Sequence, residues 1–177
     1  MKFIEIVSFL FLTVAWPFSL QAQVYTEDFV SQWERSRKYT LATLEVFDQE
    51  GLDYRPTEAV MTVRQEFLHM LQNFGKLQFY ATGKRESPLL SKLKGTEDCS
   101  KEELSELINF GFTHTLELFE QFSDEELAEP VEFFRSGVEM HRMGIFLLMR
   151  NHVTHHRGRL TLMCRLQGLE PPKYVGW

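Results

Sequence analysis

Apolar residues recur at intervals of three and four along most of this 177-residue chain, and four stretches of that period predict helices. The first runs from Thr26 to Glu50, with Phe29, Trp33, Thr40, Leu44 and Phe47 on one face. Gly51 is placed to end it as a C′ residue. Pro56 in the following "DYRP" segment forces a turn, because proline cannot continue a helix and biases the preceding Arg55 away from helical angles. Thr62 with Gln65 forms a capping box that opens a second helix, carrying Val63, Phe67, Met70, Phe74 and Leu77 and stopped at Gly83.

Lys84 to Cys99 is polar and reads as a loop. Ser100 with Glu103 caps a third helix, whose apolar face is Leu104, Leu107, Ile108, Gly111, Thr115, Leu118, Phe119 and Phe122. Ser123 with Glu126 repeats the box and predicts a short extra turn. Pro130 and Gly137 bracket a segment expected to be irregular or briefly extended. A last helix is expected from about Glu139 to Leu166, with Gly168 just beyond it. Four amphipathic helices without a strand period define an all-α fold, a four-helix bundle, in which the connection between the second and third helices is longer than a hairpin needs.

The first residues, "MKFIEIVSFLFLTVAWPFSLQAQ", do not fit that pattern. Their apolar stretch from Ile6 to Phe18 is too short to span a bilayer comfortably, and small or polar residues follow around Ala22. Residues 1–22 are therefore expected to be a secretory signal peptide, and residues 23–177 one exported domain, periplasmic or secreted. Cys99 and Cys164 could pair in such a compartment, but their spacing does not require it. The net charge of −6 and the absence of a Lys/Arg stripe argue against a nucleic-acid partner, and no second long apolar run argues for a membrane after cleavage.

Candidate chemistry is concentrated in "NHVTHHRGRL", residues 151–160, which holds three of the six histidines. Residues four apart on a helix lie one above the other, so His152 and His156 can present two imidazoles to one ion. On the helical wheel both fall among Ile145, Leu148, Met149, Met163 and Leu166. Imidazoles on an apolar face need partners, and either hydrogen-bonded carbonyls or a divalent metal would serve. A third ligand could be His69, His114 or His141. The wheel places His69 toward the polar residues Gln65, Asn73 and Lys76, and puts His141 about three turns from His152.

The "NHVTHHRGR" run, the "RP" turn, the histidine at the centre of the second helix and the ending "RLQGLEPPKYVGW" together resemble the DinB family, which includes the YfiT-type metalloenzymes. The resemblance implies a four-helix bundle holding a metal, zinc or nickel, on His69, His152 and His156. It also implies a homodimer and, in some members, thiol-dependent transfer or isomerisation.

His155 and Arg159 then become candidates for groups that face a small-molecule substrate. Arg159 stands where the family usually has glutamine. It either favours an anionic substrate or turns away to pair with an acidic residue of a neighbouring helix. Arg157 is expected to bond an adjacent helix or loop, and Gly158 to permit a close helix approach. A metal-dependent hydrolase or S-transferase is one functional class, a non-catalytic metal- or ligand-binding bundle a second, and an interaction bundle with incidental histidines a third. Export weighs against thiol transfer, because low-molecular-weight thiols are expected to be scarce outside the cytoplasm.

Overall fold

A computed structural model describes residues 25–84, 86–133 and 137–175. The expected leader, residues 1–22, lies outside the described residues. Helix α1 spans residues 25–45 and is followed by a 3-10 turn, Glu50–Asp53. Then come α2 (Val63–Thr82), the short α3 (Pro88–Lys92), α4 (Lys101–Phe119), the single turn α5 (Asp124–Leu127), strands β1 (Pro130–Phe133) and β2 (Val138–His141), and α6 (Arg142–Leu166). Helices α1, α2, α4 and α6 form the bundle. None of the described helices is long and apolar enough to cross a membrane.

The capping chemistry sets the helix starts. Thr62 accepts from the Gln65 backbone N–H while the Gln65 side chain accepts from the Thr62 N–H, and the same reciprocal pair forms at Ser100/Glu103 and Ser123/Glu126. Gly83 ends α2 with φ of 70°, and Gly168 follows α6 with φ of 75°.

Two boundaries differ from expectation. Helix α1 stops at residue 45, and Gly51 lies buried within the 3-10 turn rather than terminating the helix. Helix α6 begins at Arg142, because Glu139–His141 belong to β2, which pairs antiparallel with β1 in the register Val131↔Met140 and Phe133↔Val138. The segment expected to be a plain loop also carries α3, started by Ser87 as N-cap with Pro88 in the first turn.

Side-chain pairings fix the directions of the helices. Trp33 is fully buried at the centre, donating from Nε1 to the Phe112 carbonyl (2.9 Å) and lying against Phe74 and Phe112. Phe29 meets Phe119 near one end of α4 and Phe146 near the start of α6. Lys101 pairs with Glu45 at the other end (3.0 Å). Helix α1 is thus antiparallel to α4 and parallel to α6.

Glu66 contacts Arg159 and Ala81 contacts Arg142, so α2 runs antiparallel to α6; Gln78 hydrogen-bonds Thr115, and α2 runs alongside α4 in the same direction. Two consecutive parallel helices need a connection that returns along the bundle, roughly 30 Å for a helix of this length. Residues 83–100 supply it. The return path packs tightly: a Cβ at Gly75 would stand 2.5 Å from Leu90 Cγ, and one at Gly111 would stand 2.7 Å from Leu71 Cδ2. Glycine at these two positions lets the crossover and α4 approach α2.

Arg64 closes the far end of the crossover, donating to the Cys99 carbonyl and pairing with Asp53 (2.8 Å). Cys99 and Cys164 are both buried and both free thiols.

Candidate metal centre

Helices α2 and α6 pass one another where His69 lies on one and His152 and His156 on the other. The three imidazoles offer one nitrogen each within 4.8 Å of one another, and this is the only such group of three or more metal-ligating side chains among the described residues. His69 lies 5.1 Å from His152 and 4.8 Å from His156, centroid to centroid. The wheel position of His69 beside polar residues reflects its place at the rim of the α2/α6 contact, where the side chain is only partly covered.

The other two candidate ligands are elsewhere. His114 stacks on Phe110 (5.5 Å) and faces Glu117 (3.7 Å). His141 ends β2 and its Nδ1 bonds the Ala128 carbonyl at 2.6 Å.

The donor set suits a cation. His152 Nε2 and His156 Nε2 point at each other across 3.1 Å. In a metal-free site one of them must carry a proton for the other to accept, whereas two imidazoles sharing a tetrahedral ion hold their nitrogens about 3.3 Å apart, given metal–nitrogen bonds of about 2.0–2.1 Å. The spacing is therefore close to what shared ligation requires. Burial, followed by the neighbouring His156, His69 and His155, pushes the His152 pKa down to about 4. Burial and then His156 lower that of His69. Both imidazoles are thereby held neutral at pH 7, the form that binds metal.

A fully buried carboxylate completes the arrangement, and it was not singled out from the sequence. Glu66 Oε2 accepts from His156 Nδ1 at 2.5 Å, while Glu66 Oε1 pairs with Arg159 at 2.7 Å. An imidazole that donates Nδ1–H to a carboxylate has its tautomer fixed with Nε2 bare, the outer-sphere arrangement common around metal-ligating histidines. Glu66 precedes His69 by three residues and so shares its helix face. That spacing was the available signal, but a glutamate in "RQEFL" reads as a solvated position unless the partner helix is known.

Arg159 takes the second of its two expected placements, bound to an acidic residue of a neighbouring helix. His155 is exposed, with its ring edge-on to His156 at 4.9 Å. Gly158 does not serve a close helix approach, since no neighbouring heavy atom lies within 4 Å of where its Cβ would stand. Arg157 reaches α1 by stacking on Tyr39 at 4.6 Å. The His152 Nδ1 and Asn73 Oδ1 atoms are buried without hydrogen-bond partners.

A bundle whose second and last helices converge three histidines belongs to a recognisable class of helical protein with the outline of a metal centre. A model of the DinB family matches residues 21–176, and the chain belongs to that family. In three dimensions it is similar to a DinB-like protein from Bacillus cereus (TM-score 0.70, 23% identity, covering 84% of this chain and 97% of that one). It is also similar to a DinB-like protein from Bacillus subtilis (TM-score 0.65, 21% identity, covering 83% and 96%). These likenesses establish the shared fold. No curated protein matches the chain.

Proposed function

We propose that this is an exported DinB-family protein that holds a divalent cation, zinc or nickel, on His69, His152 and His156, and that the ion serves a metal-dependent hydrolytic reaction on a small molecule. The observation that carries the reading is the convergence of three imidazoles, two of them held neutral, within 4.8 Å. A three-histidine set leaves a coordination position open, as catalytic rather than structural sites do. A cation bound there would supply Lewis acidity and lower the pKa of a water or thiol in that position.

The chain's own residues have definable tasks. Glu66 orients His156 through Nδ1, and Arg159 holds Glu66 from the other side. His155, exposed beside His156, is the side chain available to take or give a proton at the solvent edge. Because Arg159 is committed to Glu66, it acts on substrate charge through that carboxylate rather than as a free cation. This weakens the case for an anionic substrate and leaves a neutral ester or amide as the better fit.

Metal content of the purified protein, measured by mass spectrometry beside His69→Ala and His152→Ala, tests the proposal. Near-stoichiometric zinc or nickel in the wild type, lost in both variants with helicity intact, is expected. A wild type that stays metal-free after incubation with either ion overturns the site. Loaded protein that leaves ester, phosphoester and amide substrates untouched replaces the hydrolase with the non-catalytic binding protein.

A further inference from the structure

On the opposite side of α6, roughly half a helical turn around its axis from His152 and His156, lies a second cleft. It measures about 700 Å³ and is walled by α6, by Tyr39 of α1 and by the segment Glu170–Tyr174 that folds back after the helix. That volume is within the usual range for small-molecule sites, about 300–1,000 Å³.

Its most unusual member is Arg157. The residue is only 7% exposed, yet among the described residues no carboxylate stands within ion-pair distance of it, and its Nη1 is buried with no hydrogen-bond partner. Among the described residues its charge is met by tyrosine rather than by a carboxylate: chiefly the face of Tyr39, 4.6 Å away, with a smaller contribution from Tyr174. A buried guanidinium without a counter-ion is costly, and proteins retain such a group where an anion completes it.

The rest of the lining points the same way. Arg165 and Lys173 add two cations at the exposed rim against the single carboxylate of Glu170, in a chain whose overall charge is −6. Thr154 and Thr161 of α6 face the same space, and the rings of Tyr39 and Tyr174, edge to face at 6.2 Å, supply an apolar wall.

We infer that this cleft is a second binding site, separate from the histidine centre, for a small organic oxyanion whose carboxylate or phosphate head meets Arg157 and whose apolar body lies along Tyr39 and Tyr174. A planar guanidinium presents paired N–H groups that match either head bidentately.

Calorimetric titration of the purified protein in chelator, with benzoate and with phenyl phosphate, tests the assignment. At least one probe is expected to bind saturably at one site with Kd of about 1 mM or tighter, and the tighter of the two identifies the head group. Arg157→Gln should weaken binding by about 10-fold or more. The doubly substituted Arg165→Gln/Lys173→Gln protein should bind a few-fold more weakly with a flatter salt dependence, as loss of exposed charges predicts. That variant alters only exposed side chains and so carries the test even if Arg157→Gln does not fold. His152→Ala should leave binding unchanged. Failure of both probes to saturate by roughly 10 mM overturns the inference, as does an affinity that follows His152 instead of Arg157.

Discussion

Replacing Glu66 by glutamine would test the architecture of the proposed metal centre more sharply than removing a candidate ligand. The carboxylate is fully buried and uses both oxygens, one on His156 and one on Arg159. An amide of the same shape has a single acceptor oxygen, so it can serve His156 or Arg159 but not both, and its NH₂ group must oppose whichever donor is left. If it serves Arg159, its NH₂ donates to His156 Nδ1 and favours the tautomer with the proton on Nε2, so the metal-facing nitrogen is no longer held bare. Loss of such an outer-sphere partner typically costs about 10–100-fold in metal affinity, or about 1.4–2.7 kcal/mol.

The metal-free protein should lose stability as well. Breaking a buried pair costs about 3–5 kcal/mol. Arg159 keeps 34% of its side chain in solvent and can rehydrate, which brings the expectation down to about 1–3 kcal/mol. Chelator competition with zinc would read the first quantity, and urea denaturation in excess chelator the second. If zinc affinity changes by less than about 2-fold while the fold is intact, Glu66 does not orient His156 and the account of the centre is wrong.

Other expectations follow from single residues. His152 has a folded-state pKa of about 4, below the unfolded 6.5, so its contribution to stability is fully present above pH 6.5 and is lost as pH falls from 6.5 toward 4. Thermal melts of the chelated protein should therefore shift downward across that window, less so in His152→Gln. Gly111→Ala places a methyl 2.7 Å from Leu71 Cδ2 at the α2/α4 contact and should cost about 1–3 kcal/mol in urea denaturation. Cys164, buried and pushed up to about 11, and Cys99, also raised by burial, should resist iodoacetamide at pH 8 and label fully in denaturant.

Legibility in the sequence tracked the range of the interaction. Thr62/Gln65, Ser100/Glu103 and Ser123/Glu126 mark helix starts because a capping box is closed within four residues, and all three form. The Phe29/Trp33 stripe marked a core face for the same reason. Ser87-Pro88 carried a comparable start signal for α3 that the polar surroundings masked. The hairpin showed only as a briefly extended segment between Pro130 and Gly137, since strands of four residues with partly exposed positions give too few alternations to show a period or a partner. Met140 also continues the apolar spacing of α6 backward past its true start.

At the centre, the His152/His156 spacing was local and readable. Which third histidine joins them depended on how α2 packs against α6, which no pattern within either helix specifies. Glu66 was hidden for that reason; pairing of Arg159 with an acidic residue of a neighbouring helix was legible, but not which one.

Glu66 and His156 are separated by 90 positions, and the helices that bear them meet only after the long return segment has been laid down. Neither half of the chain contains the complete centre: Glu66 and His69 lie on α2, His152 and His156 on α6. Contacts this distant in sequence form late, because loop closure must be met before they contribute. The histidine cluster is accordingly a checkpoint on completed folding: a nascent or truncated chain lacking α6 has His69 and Glu66 on an open helix, with nothing to hold between them.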